Sequence, residues 1–123
     1  MVYDVIHGNA SIPNATQEFN MNTFIVKDKK HPNPLVGYIT ALTAYSAITG
    51  ESPIGQPYKF CFDPTVNEQF DMNAYESSNY TASWTSNFRS VFESESDMAG
   101  IQQLIKDYLE AKPYRNYQSD SES

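Results

Sequence analysis

The chain has 123 residues, 40% of them hydrophobic and 19% charged, which is the length and composition of one soluble globular domain. Fifteen acids face eight bases for a net charge of −7, so the chain as a whole repels phosphate and generic binding to duplex nucleic acid is disfavoured. One cysteine excludes an internal disulfide, four leucines argue against a long-helix bundle, and no run approaches the roughly 20 apolar residues of a membrane span.

The opening segment, Met1 to Ala10, shows neither the basic region nor the apolar run of a secretory signal, so the expected location is the cytoplasm or a host-cell interior. Within it Val2-Tyr3-Asp4-Val5-Ile6 reads as a short edge strand, followed by a loop through His7-Gly8-Asn9 and Pro13. Thr23-Phe24-Ile25-Val26 is β-branched and aromatic, the composition of a second strand. Lys27 to Pro32 forms a charged turn and holds the only basic cluster.

Asn33 is a preferred helix cap, Pro34 suits the first helical position, and Gly50 suits the residue just past a helix end. Between them Leu35, Ile39, Leu42, Tyr45 and Ile48 recur at three- and four-residue steps, which predicts a helix over 34–49 with one apolar stripe. Ala41, Ala44 and Ala47 beside the stripe permit close packing.

Pro53, Gly55 and Pro57 make a stiff link into Tyr58-Lys59-Phe60-Cys61-Phe62, where aromatic residues alternate with Lys59 and Cys61 as in a strand with one aromatic face. Asp63-Pro64 is suited to cap a short helical turn. Residues 80–92 fit both periods. Tyr80, Trp84, Phe88 and Phe92 share a face at a period of two, and the Ser, Thr and aromatic content tips the choice to strand.

Residues 97–111 read as the most regular helix, capped by Ser94 or Ser96 and stopped by Pro113, with Ile101, Leu104, Ile105, Tyr108 and Leu109 as its stripe. The assembled expectation is an α+β domain over residues 1–113. It has a small, mainly antiparallel sheet of about four strands with two amphipathic helices packed on one face. Residues 114–123 form a polar tail.

The chemistry-bearing residues are few. There is no phosphate-binding glycine loop, nucleophile elbow or HExxH pair. His7, His31 and Cys61 are too few for a zinc site without carboxylates, and Cys61 between two phenylalanines suits a packed apolar position better than a nucleophile. No catalytic residue, metal or cofactor is expected, and an enzyme is the least supported class.

Charge is the feature that points to function. From Glu51 to Asp97 there are eight acids and two bases, which carry −6 of the total −7. Glu68, Asp71, Glu76, Glu93, Glu95 and Asp97 are the candidate binding acids, able to meet a protein with a basic surface. The run Glu93, Glu95, Asp97 resembles a paired-carboxylate site but is better explained as acids complementing a helix N-terminus.

The first functional expectation is a non-catalytic protein-binding accessory protein acting through that acidic surface. By association, small acidic chains of this kind include phage and mobile-element inhibitors of host defence factors. The second is a structural subunit of a virion or other large assembly, in which case the chain associates with itself. The third is single-stranded nucleic-acid binding on an aromatic face of Tyr58, Phe60, Phe62 and Trp84.

Overall fold

A computed structural model describes residues 1–24, 33–59 and 87–111, and over these the protein is helical. Five α-helices occur among the described residues: α1 (Val2–Ile6), α2 (Met21–Phe24), α3 (Pro34–Thr49), α4 (Phe88–Phe92) and α5 (Glu95–Ala111). Helix makes up 63% of the described residues and no strand occurs among them, so the expected α+β architecture with a four-stranded sheet is incorrect. The core is helix on helix, with α3 and α4 against α5 and α2 against both α3 and α4.

The two long helices lie where their end signals place them. The Asn33 side-chain oxygen accepts the Leu35 and Val36 amides at 3.0 and 3.3 Å, Pro34 fills the first helical position, and Gly50 closes α3 at φ 78°. In α5 the Ser94 hydroxyl accepts the Asp97 amide at 3.2 Å, which selects Ser94 over Ser96 as the cap. Met98, Ile101, Leu104, Ile105 and Leu109 are buried on one side of that helix.

Three short segments overturn strand expectations. In α1, Val2, Val5 and Ile6 fall on one side at steps of three and four and pack on the core, while Tyr3 points out. Gly8, at φ 76°, then takes the left-handed conformation after the helix end. In α2, the Asn20 side chain accepts the Asn22 amide at 2.9 Å, and the Thr23-Phe24 pair of the expected strand completes a helical turn. Residues 25–26 lie outside the described residues.

The clearest reversal is α4. A strand would turn Val91 away from Phe88 and Phe92, yet all three are buried and Val91 is 0% exposed. Only the helical period brings positions 88, 91 and 92 to one side. Tyr58 and Lys59, the described part of the expected aromatic strand, are in no strand, and 60–62 and 80–86 lie outside the described residues.

Buried amides bind these pieces together. Asn33 donates through Nδ2 to the Thr23 carbonyl at 2.6 Å, and its own amide donates to the Phe24 carbonyl at 2.9 Å. The Thr23 hydroxyl donates to Asn87 Oδ1 at 2.7 Å, and Asn87 Nδ2 donates to the Glu18 carbonyl at 2.7 Å. Gln102 of α5 accepts the Gly55 amide at 2.9 Å and donates to Tyr38 of α3 and to the Gln56 carbonyl. Each contact satisfies a polar group whose burial alone would be unfavourable.

Candidate functional site

The sequence-predicted acids divide into three groups. Glu68, Asp71 and Glu76 lie outside the described residues. Glu93 and Glu95 are exposed at the corner between α4 and α5, and Glu93 pairs with Arg89 one turn back at 3.7 Å. Asp97 does not share that surface, because its side chain is fully buried.

The Asp97 carboxylate is used internally. Oδ1 accepts the Thr16 amide at 2.6 Å and Oδ2 accepts the Thr16 hydroxyl at 2.5 Å. Burial pushes its pKa up, but hydrogen bonds from the Thr16 hydroxyl and amide, the Ser94 hydroxyl and the Gln17 amide outweigh this and leave it below the ordinary carboxylate value. The acid helps to fasten the 12–16 segment to the start of α5 and offers no charge to a partner.

Of the aromatic set, only Tyr58 is described. It is half-buried against the core, and its hydroxyl pKa is raised by that burial and by the nearby negative charge of Glu95. Among the described residues, Tyr58 and Glu95 are thus an aromatic and an acid of the two candidate sets that lie close enough to interact. Phe60, Phe62 and Trp84 lie outside the described residues, as does Cys61. His7 is exposed, stacked on Tyr3 at 4.0 Å between ring centres, with Nδ1 donating to the Tyr3 carbonyl at 2.8 Å. It acts as a cap on α1. Among the described residues no group of His, Cys, Asp and Glu is arranged to hold a metal, and no helix is long and apolar enough to cross a membrane.

The surface feature that sequence reading missed lies on α3. Its expected stripe leaves the core halfway along: Leu35, Ile39 and Leu42 are buried, whereas Tyr45 is 45% and Ile48 69% exposed. At about 100° per residue, each three-residue step turns the stripe back by about 60°, so two steps past Leu42 carry Ile48 about 120° off the core. Ser46 takes the buried place instead, and its hydroxyl has no hydrogen-bond partner. No Asp, Glu, Lys or Arg occurs between Pro34 and Gly50, so the outward face of α3 is uncharged throughout.

Beside this face runs a groove of about 550 Å³ between α1, α3 and α5. Val2 and Tyr3 form one wall, Thr40, Ala44 and Ala47 another, and Tyr108 part of the third. Two of its hydroxyls are already committed. The Thr43 hydroxyl donates to the Ile39 carbonyl at 2.7 Å, and the Tyr108 hydroxyl donates to the Asp4 carboxylate. That bond, then burial and the charge of Asp4, raise the Tyr108 pKa, so this phenol stays protonated and tied to α1. The walls are mainly apolar, with the Thr40 and Tyr3 hydroxyls as further polar groups.

No family model matches this chain, and no curated protein or solved structure matches it either.

Proposed function

We propose that this protein is a non-catalytic protein-binding module that docks its partner on the uncharged outer face of α3 and the adjoining groove. One observation carries the reading. Tyr3 lines a concave, mainly apolar groove and is 68% exposed, and Ile48, 69% exposed, stands on the uncharged outer row of α3 one turn on from Ala44 of the groove wall. Apolar surface clustered in this way marks an interaction site, whereas single exposed hydrophobes do not. Small-molecule pockets usually add a few convergent polar groups that fix orientation. Here Thr43 and Tyr108 spend their hydroxyls within the protein and only Thr40 and Tyr3 add hydroxyls at the walls, so the occupant we propose is a set of mainly apolar side chains from a protein.

The acids Glu93 and Glu95, at the corner between α4 and α5, are not among the residues that line the groove. In this reading they, with the rest of the −7 charge, act on solubility and on encounter more than on the docked contact.

The test is binding of a neutral, polarity-sensitive dye such as Nile red, since an anionic dye would be repelled by the net charge. Dilute protein is expected to bind the dye in the groove with a blue-shifted emission, and Ala44→Lys is expected to abolish this. No binding, or binding that Ala44→Lys leaves unchanged, would overturn the reading.

A further inference from the structure

We infer that the partner on the α3 face is a second copy of this chain, packed with its α3 antiparallel across a two-fold axis; this rests on the docking reading above. Two observations carry it.

The first is electrostatic. Each copy carries −7, so two copies repel wherever their acidic surfaces face each other. Besides the buried Asp97, α5 holds Glu95, Lys106, Asp107 and Glu110 within its 17 residues, whereas the 16 residues of α3 hold no charge. A neutral face has nothing to attract a basic protein. Of the two long helices, α3 is the one on which the approach of a like-charged copy is less opposed.

The second is shape. Positions 37, 41, 44 and 48 fall along one outer row of α3, at steps of four, three and four. Gly37, Ala41 and Ala44 make that row low, and Ile48 makes it high at one end. Above Gly37 the space is open, since a Cβ built there would meet nothing within 4 Å. In an antiparallel pair Ala41 of one copy meets Ala44 of the other, and Ile48 of each stands over Gly37 and Thr40 of the other. The same surface serves both copies, so the contact closes as a dimer and does not propagate.

The experiment is sedimentation velocity across a concentration series, with Nile red binding read on the same samples. Wild type is expected to pass from monomer to dimer as concentration rises, and to lose dye binding as it does so. Ile48→Lys and Ala41→Glu, both at exposed positions, are expected to raise the dimer dissociation constant at least tenfold with an unchanged helical circular-dichroism melt. A Glu110→Lys control should still dimerise. A monomer at every concentration that still binds dye would overturn the second-copy inference and leave the docking reading standing. A monomer that binds no dye would overturn both. Dimerisation unaffected by Ile48→Lys and Ala41→Glu would place the contact elsewhere and overturn the inference.

Discussion

Thr16 and Asp97, 81 positions apart in the chain, are joined by two hydrogen bonds, from the Thr16 amide and from its hydroxyl to the two oxygens of one buried carboxylate. Around that junction the Ser96 hydroxyl donates to the Asn14 carbonyl at 2.8 Å, and Asn14 takes a left-handed φ of 57°. The 12–16 segment is thereby laid across the first turns of α5.

Asp97→Asn is expected to destabilise the protein by about 1–3 kcal/mol at pH 7, because the amide presents a donor where Thr16 also donates. The folded pKa of Asp97 is lowered, so its contribution is present above the unfolded value of about 3.9 and is lost as pH falls through the folded value. Urea melts of wild type and variant at pH 7 and pH 3 should therefore converge at the acid end. A gap that is the same at both pH values would show that the charge of Asp97 is not what holds Thr16.

Gly100→Ala is expected to destabilise by about 1–3 kcal/mol, although alanine is the better helix former by roughly 1 kcal/mol. A Cβ at Gly100 would collide with the Pro13 carbonyl oxygen and come within 2.7 Å of Ile12 Cγ2. Backbone cannot swing aside as a long side chain can. An unchanged or higher urea midpoint for Gly100→Ala would mean that the 12–13 segment does not rest on α5.

Ser46→Ala should stabilise, by about 1 kcal/mol. The Ser46 hydroxyl is buried with no partner, and its removal relieves that desolvation while improving helix propensity. The readout is a rise in urea midpoint at constant slope. A fall would show that the hydroxyl is satisfied in solution.

The helices whose ends carry chemical signals were legible from sequence. Asn33, Pro34 and Gly50 bound α3, and Ser94 with the apolar stripe marks α5. The short elements were not, because five residues hold both periods: Val2 to Ile6 and Phe88 to Phe92 alternate acceptably as strands until the burial of Val91 is known. Asp97 reads as one of three acids at a helix start, and only the fold brings Thr16 to it. Likewise nothing near Gly100 in the chain announces the Pro13 carbonyl. The docking face on α3 was hidden for a different reason. Its stripe of five apolar positions looks continuous in sequence, and only the drift of three-residue steps moves Tyr45 and Ile48 off the core.

The antiparallel meeting of two α3 helices is tested most directly by cysteine cross-linking, for which the chain is well suited because Cys61 is its only cysteine. In a Cys61→Ala background, chains bearing Ala41→Cys are mixed with chains bearing Ala44→Cys and oxidised under mild conditions. The mixed disulfide is expected to form faster than either like pair, and much faster than with Glu110→Cys in place of one partner. Cross-linking no faster than in the Glu110→Cys control would contradict the account.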